Sequence, residues 1–200
     1  MSPFRKVLVD RNASGTSEYQ SKRRRGASKL NGMKDHSLLG RPIAAGVGIG
    51  HVHLKVADLE RALGFYCGVL GFELIQRFGD SAAFVSAGGY HHHIGLNTWE
   101  SLGGTPPARG TTGLYHLAIL YPTRALLADA LQRLAEAGIS LDGASDHGVS
   151  EALYLRDPDE NGVELYWDRP REEWPRTADG GVAMYTRPLN LRGLLAESEE

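Results

Sequence analysis

From residue 47 onward the sequence carries one succession of elements twice, and this repeat limits the possible folds more than any other feature. Residues 50–56 alternate polar and apolar side chains as a half-buried strand does. Asp58 then suits a helix N-cap, Leu63, Phe65, Tyr66 and Leu70 supply an apolar helical face, and Gly71 ends it. Residues 72–77, 82–86 and 90–99 read as three further strands separated by glycine-containing turns. After a Gly/Pro linker at 103–110 the pattern returns. Strand 114–120 carries His116, and helix 124–137 has apolar residues at 126, 127, 130, 131 and 134 before Gly138. Strands 139–141, 151–156 and 162–167 complete it. The expected fold class is α+β, with two tandem βαβββ modules (47–102 and 112–168) combining into one curved mixed sheet around a shared pocket.

The last two strands form a hairpin about Asp157-Pro158-Asp159-Glu160-Asn161-Gly162, since Pro fixes φ while Asn and Gly tolerate positive φ. Ala152 and Tyr154 share one face of the first arm, and Glu164 and Tyr166 share one of the second. Glu164 sits between Val163 and Leu165, where a carboxylate is costly to bury without a cation or donor. An ion-paired structural glutamate would satisfy that demand, and so would a metal ligand.

Composition removes several classes of function. Net charge is −2, so there is no electrostatic basis for binding nucleic acid or an anionic membrane. Cys67 is the only cysteine, which excludes an internal disulfide and disfavours a zinc–thiolate site. No apolar run approaches the ~20 residues of a membrane-spanning helix. The N-terminus lacks the apolar core of a signal peptide, so the expected compartment is the cytoplasm. Residues 1–45 are poor in apolar periodicity and read as a flexible extension. Within it, Lys22-Arg23-Arg24-Arg25 is a solvated charge run and Asn12-Ala13-Ser14 an unused sequon. The main domain is expected over 46–170, and a tail over 171–200 has a short apolar segment near 191–196. That tail is expected to pack over the sheet or a neighbouring subunit, with no chemistry of its own.

Of the eight histidines only His36 lies outside the window 51–147. His51 and His116 occupy the same place in the first strand of each module. With Glu164 they make two imidazoles and a carboxylate, a set that suits Fe(II), Mn(II), Zn(II) or Co(II) and leaves open positions for substrate and O₂. On the last strand of the first module, His91-His92-His93 is expected to correspond to the Glu164 region of the second. Strand alternation places His92 on one face and its neighbours on the other. There it would serve as acid, base or further ligand. His147 and Tyr154 add an imidazole and a phenol, and His53 shares the face of His51.

The segments Gly50-His51-Val52, Asp58-Leu59-Glu60-Arg61, Phe65-Tyr66, His92-His93-Ile94-Gly95-Leu96, His147-Gly148-Val149-Ser150 and Tyr154-Leu155-Arg156-Asp157-Pro158-Asp159 carry a resemblance. From Gly50 to about Trp167 the chain resembles the vicinal oxygen chelate (glyoxalase/bleomycin resistance/dioxygenase) superfamily. Within it, the chain is most similar to extradiol ring-cleaving dioxygenases of the catechol 2,3-dioxygenase type. The resemblance implies a metal held by His51, His116 and Glu164, either Fe(II) or Mn(II). It implies a catechol and O₂ as substrates, His92 as the acid–base residue, and His147 and Tyr154 as donors to substrate and oxygen. The larger members have four modules and this chain has two, so a homodimer or higher oligomer is expected to complete the pocket. Glu160 stands where the family turn carries Gly. Two alternatives share the fold. One is another metal-dependent enzyme, a glyoxalase-type lyase or thiol transferase. The other is a metal-free resistance protein that binds a small molecule.

Overall fold

A computed structural model describes residues 42–199. The readings for the Lys22–Arg25 run, the sequon and His36 lie outside the described residues. Residues 42–48 hold one turn, closed by Val47 N donating to Ala44 O (2.9 Å), and belong to a unit separate from Ile49–Glu200. Among the described residues no helix is long and apolar enough to cross a membrane.

The two modules appear as expected, and their hydrogen bonding divides them into two mixed sheets. The first contains β1 (Val52–Lys55), β2 (Glu73–Phe78), β3 (Ala82–Ser86) and β4 (Ile94–Asn97) in the order β1-β4-β3-β2. The second contains β5 (Leu117–Leu120), β6 (Gly143–Asp146), β7 (Ser150–Arg156), β8 (Gly162–Asp168) and a short β9 (Arg187–Pro188) in the order β5-β8-β7-β6-β9. The parallel pairs are equivalent: Val52 faces Ile94 in one module as Leu117 faces Val163 in the other. His51 and His116 each stand one residue before their strand, so the repeat places them alike.

The helices are α1 (Leu59–Leu63), α2 (Arg124–Glu136) and, in the tail, α3 (Leu191–Leu195). Asp58 and Thr123 cap α1 and α2 by accepting from Arg61 N and Leu126 N. Beyond Leu63 the first helix widens into a π-helical stretch, Gly64–Val69, with Leu70 N donating to Phe65 O (3.0 Å). Gly64 and Gly68 give this stretch little α-helical preference, and it carries buried Phe65 and Tyr66 into the core. Leu54, Val56, Leu117, Leu127, Leu131, Leu134, Leu153 and Leu165 form that core, in which helices cover one sheet face.

Three expected strands come out differently. Residues 90–93 precede β4 because Gly88 and Gly89 both take positive φ (64° and 76°) and turn the chain late. Residues 114–116 precede β5. Residues 139–141 close the helix instead, with Ile139 N donating to Leu134 O (2.9 Å), and β6 forms later from Gly, Ala, Ser and Asp. These are poor strand formers, so pairing with β7 explains the strand better than propensity does.

The turn before β8 does more than reverse the chain. Buried Asp157 accepts from Tyr66 Oη (3.0 Å), and from Asp159 N, Asn161 N and Asn161 Nδ2 (2.9, 2.8 and 2.9 Å). Asp159 Oδ1 accepts from Ala57 N (3.0 Å) and Arg61 Nη2 (2.7 Å). Two carboxylates of the second module are thus held by the helix and strand end of the first. Glu160 takes φ 63°, the left-handed region that glycine would occupy without strain.

Candidate metal and acid–base site

Register puts His116, Glu164 and Tyr154 side by side. Tyr154 is directly opposite Glu164 in the β7–β8 pair, and Glu164 is opposite Ala118 on β5, two residues after His116. His116 Nε2 lies 2.9 Å from Glu164 Oε2, with side-chain exposures of 31% and 13%. Tyr154 Oη lies 3.1 Å from Glu164 Oε1 and 2.7 Å from His147 Nε2. The four residues form one run of close polar contacts across the second sheet. Burial, followed by the Glu164 charge, pushes the Tyr154 phenol up to about 12, so it stays protonated at neutral pH.

His116 Nδ1 is buried and has no hydrogen-bond partner among the described residues, so the Glu164 contact orients the ring together with packing on Tyr115 and Tyr154 (ring centroids 5.5 and 5.9 Å). The pair suits a divalent cation. Two ligands each about 2.1 Å from one metal and about 90° apart would lie roughly 3 Å from one another. An imidazole and a carboxylate are also the donor types such a cation takes.

The first module holds the other candidates. His51 and His92 pack with ring centroids 4.4 Å apart and planes tilted by 51°, and Phe84 lies 5.0 Å from His92. His91 Nδ1 is 2.8 Å from His92 Nδ1. His91 and His93 also pack on Tyr90 (4.0 and 4.9 Å), and because residues 91–93 precede β4 the strand alternation expected for this triplet does not apply to it. His93 Nδ1 is 2.9 Å from Ser86 Oγ. Burial first, then His51, lowers the pKa of both His92 and His53, because neighbouring imidazoles disfavour a second positive charge.

The site residues therefore fall in two clusters, one per module. Among the described residues no three His, Cys, Asp or Glu side chains converge on a common point. His51 borders a cavity of about 570 Å³ with His93, Leu117, Ile119 and Tyr121, while His116 and Tyr154 border another of about 200 Å³ with Asp142 and Arg156.

One expected correspondence needs correction. The register matches Ile94 with Val163, so the first-module counterpart of Glu164 is Gly95 rather than His91–His93. The missing side chain makes room for His53, whose ring would lie 2.9 Å from a Cβ at Gly95. Three further contributors escape a reading of the sequence. Asp157 and Asp159 read as turn residues alone, although an Asp on either side of Pro at a hairpin tip could have marked them. The Tyr185 carbonyl, 3.0 Å from His147 Nδ1, carries no signal because it is backbone.

A family model described as the Glyoxalase/Bleomycin resistance protein/Dioxygenase superfamily matches residues 48–165. The chain is 46% identical over 150 residues to a catechol-2,3-dioxygenase of Bacillus subtilis (strain 168), covering 75% of this chain and 52% of that protein. It is 34% identical over 122 residues to biphenyl-2,3-diol 1,2-dioxygenase 3 of Rhodococcus globerulus, covering 60% of this chain and 63% of the relative. The chain thus spans about half the length of the first relative and under two thirds of the second. Among solved structures, a glyoxalase/dioxygenase from Nostoc punctiforme shares the fold. Its TM-score is 0.54 at 20% identity, covering 66% of this chain and 99% of that one.

Proposed function

The chain belongs to the Glyoxalase/Bleomycin resistance protein/Dioxygenase superfamily, and we propose that within it the protein is an extradiol dioxygenase that opens a catechol-type ring with O₂. Both oxygen atoms would enter the ring-opened product. The observation that carries this reading is the chain His147–Tyr154–Glu164–His116, which joins a cation-binding pair to a phenol and an imidazole beside it. In the proposal His51 joins His116 and Glu164 as the third ligand of Fe(II), with Mn(II) the other candidate. When bound, the metal supplies a redox-active Lewis acid with open positions for both substrates.

The remaining work falls to side chains. Tyr154 holds its proton at neutral pH and, with the substrates bound, would turn it from its resting partner towards the oxygen atoms that gather charge. His147 sits behind that phenol and orients it. His92, with its depressed pKa, stays a neutral imidazole able to take a proton from a catechol hydroxyl and return it to the product. The apolar walls around His51 would keep water from the ring.

The similarity to diol dioxygenases favours ring cleavage over the alternatives, and Gly95 adds a structural reason. A glyoxalase-type lyase places a second carboxylate at that position, and here no side chain exists to ligate. A thiol transferase would use the same three ligands and is separated by reaction, not by metal binding. A second copy of the chain completing the pocket is part of the proposal, since the described residues of one chain leave His51 and His92 in a cluster apart from His116 and Glu164.

The test of the site is metal binding by variants. His51→Ala, His116→Ala and Glu164→Ala should each lose Fe(II) or Mn(II) in equilibrium dialysis, while His92→Ala keeps the metal and loses turnover. A Glu164→Ala protein that holds the metal as tightly as the parent would sink the ligand assignment.

A further inference from the structure

The tail after β8 is built against the site. Ala183 N donates to Pro175 O (2.8 Å), closing a small loop braced by an Arg176–Val182 bridge. The chain then passes over His147. Tyr185 N donates to His147 O (3.2 Å), Tyr185 O lies 3.0 Å from His147 Nδ1, and Thr186 Oγ1 lies 3.2 Å from the same nitrogen. Pairing of Arg187 with Asp146 continues the contact as a strand, and the Arg187 guanidinium rests 4.3 Å from the Tyr185 ring centre. Gly148 shows how close the fit is. It has φ +77°, and a Cβ there would lie 2.6 Å from the Tyr185 ring and 2.8 Å from Pro175.

The chemistry of these contacts has a direction. A carbonyl oxygen only accepts, so the Tyr185 contact requires a proton on His147 Nδ1. A neutral imidazole has one such proton, which leaves Nε2 bare. Tyr154 Oη, 2.7 Å away, must then donate to Nε2. A phenol has a single proton and two acceptors within reach, and with Nε2 bare it goes to the shorter contact, His147 at 2.7 Å, rather than to Glu164 at 3.1 Å. Electron pairs of the phenol and the carboxylate then face one another, an environment that favours a cation beside Glu164.

We propose that the C-terminal tail is a positioning element of this site: the Tyr185 carbonyl sets the tautomer of His147 and, through it, the direction of the Tyr154 proton. The inference rests on the proposed reading of His147 and Tyr154 as site residues, but tautomer is a property of the metal-free chain.

The experiment is two-bond ¹H–¹⁵N correlation on the full chain labelled at histidine, without metal, above the titration range of imidazole. His147 should show the pattern of protonated Nδ1 and bare Nε2. Tyr154→Phe removes the donor to Nε2 and leaves the tail, so the pattern should persist. Thr186→Val keeps the carbonyl and should also leave it unchanged. Gly148→Ala forces the tail away, and His147 should change to the Nε2-protonated form that free imidazole side chains prefer. A parent protein with Nε2 protonated would overturn the proposal, as would loss of the Nδ1 proton in Tyr154→Phe. A catechol assay that failed would leave this result untouched, since the spectrum needs neither metal nor substrate.

Discussion

Glu164 shows how one position joins sequence, packing and chemistry. Its neighbours Val163 and Leu165 are buried, so the strand carries the carboxylate onto the opposite face, where Tyr154 and His116 meet it. Much of this was legible, because strand periodicity aligns Tyr154 with Glu164 once the hairpin is recognised. The counterpart of Glu164 in the first module was not, since the late turn at Gly88 and Gly89 shifts the histidine triplet ahead of β4. On the proposed mechanism, Tyr154→Phe should cut kcat by about 100-fold with little change in stability, as loss of one donor to developing charge does. Steady-state kinetics beside a urea melt would separate the two. The crowded imidazoles also make a pH prediction. A lowered pKa means that His92 and His53 stay neutral into more acid solution, so their NMR titration midpoints should fall below that of an exposed histidine. Midpoints at or above the ordinary value would contradict the packing described.

At the scale of elements, the turn between β7 and β8 ties one module to the other. The tetrad Asp-Pro-Asp-Glu announces a turn, but its partners Tyr66 and Arg61 stand 91 and 98 positions away, and no local pattern links them. Burial and the Asp157 charge push the Tyr66 phenol well above its usual range, so it remains a donor at any working pH. Removing that hydroxyl in Tyr66→Phe should cost about 1 kcal/mol, because Asp157 keeps three other donors. Asp159→Ala should cost about 1–2 kcal/mol, since it strands the Ala57 amide while the half-exposed Arg61 guanidinium turns to solvent. Glu160→Gly should move the other way, gaining about 1 kcal/mol by relieving left-handed backbone. Urea denaturation of the three variants would check the order. The widened π-helical stretch was not foreseen, as its apolar spacing fits an α-helix equally well.

At the scale of the whole molecule, the repeat makes the two-module fold readable in the sequence, because equivalent histidines and equivalent helix-ending glycines mark its period. What the repeat could not convey is that β1 and β5 pair only within their own modules, each at a sheet edge, giving two sheets among the described residues, with β9 from the tail joining the second. Tail residues give no sequence signal of this, since the contacts at His147 run mainly through backbone. A second copy should complete the pocket, so sedimentation velocity is expected to show a dimer; a monomer at every concentration would remove that part of the proposal. The central claim is ring cleavage, and it is tested most directly by loading the protein anaerobically with Fe(II), adding a catechol, and admitting air in an oxygen electrode. The account predicts one O₂ consumed per catechol and a yellow ring-opened product. Metal bound at one per chain with no O₂ uptake across a panel of catechols would contradict it, and would point to a lyase or transferase of the same fold.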